Sequence, residues 1–142
     1  MTTRSLVLAA LVLAVTWAPS ARADDELASA LEKVSKEQIA AFNRKDVAAT
    51  MGYAHTKSPS YDEAKTELTA ALGGLDAKAE QVSFQYIGHD DEFALARVKV
   101  KVSATGEEGF QDNIVDTIAI FHQEGGKWKV WDSYLVGGQL TK

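Results

Sequence analysis

At Gly73-Gly74 the hydrophobic period of the chain changes from that of a helix to that of a strand, and this change divides the fold into two parts. Before the glycines, Leu27, Leu31, Val34, Ile39 and Phe42 recur at steps of three to five residues. That spacing puts them on one face of a helix about 30 Å long, at 1.5 Å per residue. The helix is predicted from Glu26 to about Arg44, with Asp24, Asp25 and Glu26 in a first turn where negative charge suits the helix dipole. Asp46 is placed to cap a second, shorter helix through Tyr53, with Val47 and Met51 on its inner side. Pro59 disfavours helical geometry at Ser58, so His55 to Pro59 reads as extended or loop. Ser60 with Glu63 three residues later forms a capping box, opening a third helix that ends at the two glycines.

Beyond Gly74, Val82, Phe84 and Tyr86 alternate with Ser83 and Gln85, and Gly88-His89-Asp90-Asp91 turns the chain. Ala94, Ala96, Val98, Val100 and Val102 then face one way while Arg97, Lys99 and Lys101 face the other. A second turn is predicted at Gly106 to Gly109, and strands over about Gln111–Gln123 and Lys127–Val136 flank Gly125-Gly126. Three helices followed by a four-stranded antiparallel meander predict an α+β fold with the helices on one face of the sheet. A two-residue loop at Gly125-Gly126 pairs Glu124 with Lys127 and Gln123 with Trp128. Continued without interruption, it puts Phe121 opposite Val130, Ala119 opposite Asp132 and Thr117 opposite Tyr134 on one face. The other face then pairs His122 with Lys129, Ile120 with Trp131 and Ile118 with Ser133. With helices over the Phe121 face, Ile118, Ile120, Trp131 and Leu135 form an open apolar patch, which predicts a homodimer through the sheet.

The N-terminus adds a compartment. Arg4, the apolar stretch Leu6 to Val15, the break at Pro19 and the small residues of Ala21-Arg22-Ala23 read as a signal peptide over residues 1–23, cleaved before Asp24. A membrane span needs about 18–20 apolar residues, and Ser20, Arg22 and Asp24 interrupt earlier. Two of the 15 basic residues, Arg4 and Arg22, leave with the segment, which takes the net charge from −5 to −7. Nucleic acid and, after cleavage, membrane are therefore not expected partners. The chain has no cysteine, so disulfides, thiolate metal sites and thiol nucleophiles are excluded, and a bacterial periplasmic or secreted location suits it. Residues 24–142 read as one domain.

Ile39-Ala40-Ala41-Phe42-Asn43-Arg44-Lys45-Asp46-Val47, Ser58-Pro59 and Gly126-Lys127-Trp128-Lys129-Val130, in this order, resemble the nuclear transport factor 2-like (NTF2-like) superfamily, which includes SnoaL-like proteins and ketosteroid isomerases. The resemblance implies a cone-shaped fold, a curved sheet around a long helix with a pocket between them, and frequent dimerisation through the sheet. It also implies where isomerase chemistry would sit. The positions of the tyrosine, the basic carboxylate and the protonated acid of that mechanism hold Gln38, Ser58 and Thr117 here, and none of these is a general base without an activating partner.

A cone lined by Gln38, Phe42, Tyr53, Phe84, Tyr86, Thr117, Phe121, Trp128, Asp132 and Tyr134 would hold a small, largely apolar molecule, although the same aromatics could simply fill the core. Asp132, buried among Phe84, Phe121 and Trp128, would be a proton carrier, or else a hydrogen-bond partner of Tyr134, Thr117 or a backbone amide. His55, near Ser58 and Tyr61 at the cone entrance, reads as a surface histidine with a lesser catalytic alternative. The histidines lack paired metal-ligand spacing, and His89-Asp90-Asp91-Glu92 reads as a solvated turn, so neither metal nor cofactor is expected. Arg97, Lys99, Lys101, Lys127 and Lys129 read as a solvated strand face that would protect an edge if that strand lies at one. Three functions remain: a non-catalytic binding domain, a SnoaL-like enzyme using Asp132 and Tyr134 or His55, and a structural interaction module.

Overall fold

In the computed structural model, which describes residues 21–105 and 109–141, the helix-to-strand change falls at Gly74 as the periodicity requires. The helices are α1 (Ala21–Asn43), α2 (Val47–Met51) and α3 (Tyr61–Gly74); the strands are β1 (Asp76–His89), β2 (Phe93–Thr105), β3 (Asn113–Glu124) and β4 (Lys127–Leu140). The sheet is an antiparallel meander in the order β1-β2-β3-β4. Most of the expected export segment, up to Ser20, lies outside the described residues, as do Gly106 to Glu108 of the second turn. Among the described residues no helix is long and apolar enough to cross a membrane.

The core lies between α1 and the inner sheet face. Leu31 and Phe121 are fully buried there with Ala94, Ala96, Val98 and Ala119. The three alanines keep the strand surface low, so the long helix approaches closely and its leucine interdigitates. Phe84, Tyr86, Trp128 and Val130 pack around this centre. Arg97, Lys99 and Lys101 occupy the outer face of β2, an interior strand, so they protect no edge. Arg97 instead donates two hydrogen bonds to Asp116, at 2.9 and 2.7 Å, and Lys101 lies 3.8 Å from Asp112.

Local signals explain the helix ends. Asp46 caps α2 by accepting from the Ala49 N–H at 2.8 Å. After α1, the Asp46 N–H reaches the Ala41 carbonyl and the Lys45 N–H reaches that of Phe42, the paired bonds that satisfy helix carbonyls when the next residue turns left-handed. That residue is Lys45 at φ 62°, a conformation glycine usually supplies. Its ammonium group anchors to the Ala77 carbonyl, and its neighbour Asn43 exchanges two 2.8 Å hydrogen bonds with the backbone of Ala79. The end of α1 is thus tied to the edge strand β1.

The expectations for Ser60, Val82 and the last hairpin fail, each for a tertiary reason. Ser60 makes no capping bond to α3; its hydroxyl points to Ser58 and Asp132 instead. Val82 is not an inward residue: β1 carries an irregularity between Gln81 and Ser83, and Val82 is 51% exposed. The last hairpin follows the expected register from Glu124/Lys127 to Phe121/Val130, then inserts Trp131 as a bulge. Beyond it Ile120 faces Asp132, Ala119 faces Ser133, Ile118 faces Tyr134 and Thr117 faces Leu135. One extra residue exchanges faces, so Leu135 leaves the expected outer patch and Tyr134 takes its place beside Ile118.

The segment after α2 is bound to the edge of β4. The His55 N–H donates to the Val130 carbonyl and the Val130 N–H to that of Tyr53, both at 2.8 Å. His55 is consequently 3% exposed and not a surface histidine. Thr56 donates to Glu124 through hydroxyl and amide, and Lys129 reaches the other Glu124 oxygen at 3.1 Å. The Thr56 hydrogen bond, then Lys129, hold the Glu124 carboxyl at about 2, below its ordinary 4.5.

Two outcomes follow. Replacing Asn43 by Ala removes both bonds to Ala79 and should cost about 1–3 kcal/mol, read as a lower urea midpoint at unchanged slope. Because the Glu124 carboxyl is depressed on folding, its stabilisation is complete above the unfolded value of 4.5 and is lost as pH falls towards about 2. Urea midpoints of the wild type and Glu124→Gln should differ at pH 7 and converge at about pH 2; a gap that does not change with pH would show that the carboxyl is not the source.

Candidate functional site

A cavity of about 310 Å³ opens between the three helices and the inner face of β2, β3 and β4. Ile39 of α1, Met51 of α2, Leu68 of α3, Val98 and Val100 of β2, Phe121 of β3 and Val130 of β4 make its walls apolar. Its polar groups come from Gln38 and Ser35 on α1, Thr50 on α2, Ser58, Ser60 and Tyr61 around the start of α3, Thr117 on β3, and Asp132 and Ser133 on β4. The binding of Tyr53 and His55 to Val130 fixes how far Ser58 and Ser60 reach over the mouth.

Of the residues expected in the cone, Gln38, Thr117, Phe121 and Asp132 line this cavity. Phe84, Tyr86 and Trp128 do not; they fill the core around Leu31. Phe42 lies under the Lys45 ammonium group, 5.8 Å from ring centre to nitrogen, and Tyr53 is engaged by its backbone with Val130. Tyr134 is 57% exposed because the bulge turns it outward. Beside it, the Asp132 carboxylate, first as hydrogen-bond partner and then as charge, raises the Tyr134 phenol above its ordinary value.

Asp132 is not sealed among Phe84, Phe121 and Trp128. It is half-buried at the cavity wall, where its Oδ1 accepts from the Ser60 hydroxyl at 3.2 Å and the Ser133 N–H at 2.8 Å. The Ser58 and Ser60 hydroxyls are 3.0 Å apart. A carboxylate oxygen cannot donate, so the Ser60 proton goes to Asp132 and the Ser58 proton goes to Ser60. The line Ser58, Ser60, Asp132 escaped the sequence reading because Ser60 looked like a helix cap. The pattern Ser-Pro-Ser was its only local trace.

His55 lies outside the cavity, behind Trp131, with which it makes an edge contact at 4.8 Å. Its Nδ1 accepts from the Lys57 N–H at 3.1 Å, so in the neutral ring the proton sits on Nε2. Both Nε2 of His55 and Nδ1 of His122 then reach the Gln123 carbonyl, at 3.3 and 2.9 Å. These rings hold the segment after α2; they do not address the cavity. Among the described residues no group of three or more histidine and acidic side chains is arranged to hold a metal. His89 instead contacts the Tyr86 hydroxyl, and Asp90 accepts from the backbone of Phe93 and Glu92, bonds that lower its carboxyl below the ordinary value.

Similar architecture recurs in solved structures. An NTF2-like protein of unknown function from Pseudomonas putida KT2440 superposes with a TM-score of 0.61 at 11% identity, covering 78% of this chain and 86% of its own. A ketosteroid isomerase-like protein from Erwinia carotovora atroseptica gives 0.60 at 13%, covering 80% and 98%. A type 2 hexachlorocyclohexane dehydrochlorinase gives 0.59 at 9%, covering 85% and 93%. At such identities the likeness establishes the NTF2-like cone fold and leaves function to the site. No curated protein sequence matches the chain. Residues 33–136 match the model of a family described as the C-terminal domain of the anti-sigma-I factor RsgI9. With that match running from the middle of α1 to Val136 in β4, well over half of the chain, the chain belongs to the RsgI9 C-terminal domain family.

Proposed function

We propose that this protein is an exported, non-catalytic binding domain that holds a small, largely apolar molecule in the cone. The observation that carries the reading is the cavity itself: walls with apolar residues from every surrounding element, polar groups interspersed among them, and no basic side chain or activated nucleophile among its described lining residues. At about 310 Å³ it lies at the small end of the ~300–1,000 Å³ range of small-molecule sites. The isomerase positions hold Gln38, Ser58 and Thr117, and the Thr117 hydroxyl donates to the Val98 carbonyl at 3.3 Å instead of towards a ligand oxygen. A family named for the terminal domain of an anti-sigma factor fits a domain that detects something and does not transform it. An enzyme using Asp132 and Tyr134 has less support, because one of the pair points to solvent.

Native mass spectrometry of protein recovered from outside the cytoplasm tests the reading. We expect a chain beginning at Asp24 and carrying a small organic adduct. Ala64 lines the mouth from the exposed side of α3, so Ala64→Trp should fill the cavity and weaken binding at least about tenfold. Glu67→Trp, on the same helix but away from the cavity, should retain the adduct. Equal adduct in both variants would place the molecule elsewhere.

A second reading, self-association through the outer sheet face, is supported by an apolar groove lined by Phe93, Leu95, Ile120 and Trp131. Sedimentation velocity should then give a dimer, with Ile120→Arg weakening it at least about tenfold while leaving thermal unfolding unchanged. A monomeric wild type at high concentration disposes of this interface.

A further inference from the structure

The direction of each hydrogen bond around the cavity defines the ligand chemistry it accepts. Ser35 donates its hydroxyl proton to Gln81, Thr50 to the Asp46 carbonyl, Thr117 to the Val98 carbonyl, and Ser58 through Ser60 to Asp132. A hydroxyl carries one proton, so these five groups can offer a ligand only lone pairs. Gln38, Tyr61 and Ser133 can act in either sense. Asp132 is the one charged side chain among the described lining residues. The first turn of α3 above it adds Asp62 and Glu63 and no base. Two basic groups behind the wall are engaged elsewhere, His55 with Gln123 and Lys129 with Glu124, and Lys57 and Lys65, next to the lining residues Ser58 and Ala64, do not themselves line the cavity.

We infer that the cavity selects small apolar molecules bearing a hydrogen-bond donor, primary ammonium groups foremost and alcohols next, and discriminates against carboxylates. The inference rests on the pocket-binding reading and gives it a ligand class. It reverses the polarity of an oxyanion site, which presents donors to a developing negative charge. Here acceptors and one carboxylate face the ligand. An ammonium group gains the Asp132 charge and several lone pairs, an alcohol gains the lone pairs alone, and a carboxylate meets like charge with few donors to offset it.

Three probes that share one apolar skeleton test this: cyclohexylmethylamine, cyclohexylmethanol and cyclohexanecarboxylate. Each is titrated into the full protein at pH 7 by calorimetry, with NMR shifts of the Ile39 and Val130 methyls locating the site. The amine should bind about tenfold or more tightly than the carboxylate, with the alcohol between them. Asp132→Asn should bring the amine down to the alcohol. Glu67→Gln, which also removes one carboxylate but away from the cavity, should preserve the preference, and an unchanged thermal unfolding midpoint of Asp132→Asn guards against a folding defect in the first variant. If the alcohol binds at these methyls but the carboxylate binds as tightly as the amine, the inference falls and the pocket reading stands. If none of the three shifts the methyls, both fall.

Discussion

The short stretch of backbone at Val130 governs the rest of the molecule. Val130 pairs with Phe121 on the side of β3 and exchanges hydrogen bonds with Tyr53 and His55 on the other. A strand at the end of a sheet exposes unsatisfied N–H and C=O groups, and an extended segment laid along it removes part of that cost. Because the segment follows α2 directly, the pairing also fixes the reach of the chain to Ser58 and the starting point of α3. The cavity mouth is therefore set by a backbone contact, with side chains fitted to it afterwards.

The side chains reinforce that contact from both ends. Thr56 and Lys129 converge on Glu124, while His55 and His122 share the Gln123 carbonyl. A buried imidazole with an N–H facing one nitrogen and a carbonyl facing the other has its tautomer chosen for it. His55 is thus a structural histidine, held on one side by the nearby Lys57 N–H and on the other by the Gln123 carbonyl 68 positions away, which no local pattern could disclose.

What the sequence made legible was local chemistry. The Asp46 cap, the Gly73-Gly74 stop, the hairpin turn and its first four pairs all depend on neighbouring residues, and each forms as expected. Alternation also assigned Phe84, Tyr86 and Phe121 to the inner face correctly. It could not tell which of them meets the cavity and which meets Leu31, because that depends on where α1 crosses the sheet. The register beyond Phe121 was lost at one residue, Trp131, whose insertion satisfies an aromatic cluster with His55, His122 and Phe93. Ser60 was misread for a related reason: capping and bonding to Asp132 are equivalent uses of one hydroxyl, and the tertiary partner prevailed.

The same bulge decides how firmly the cavity is built. Trp131 borders the inner cavity and the outer groove, so it forms part of the wall between them. A wall that rotated would make the cavity's shape depend on what lay outside. Edge contacts to His55 at 4.8 Å, to Phe93 at 5.8 Å and a tilted contact to His122 at 5.3 Å brace the indole on several sides, and such aromatic pairs favour defined relative orientations. His55 itself cannot yield without breaking the backbone pairing at Val130. The cavity is consequently preformed: its ordering belongs to folding, and a small ligand with few contacts can use most of its interaction energy for binding instead of reshaping the site.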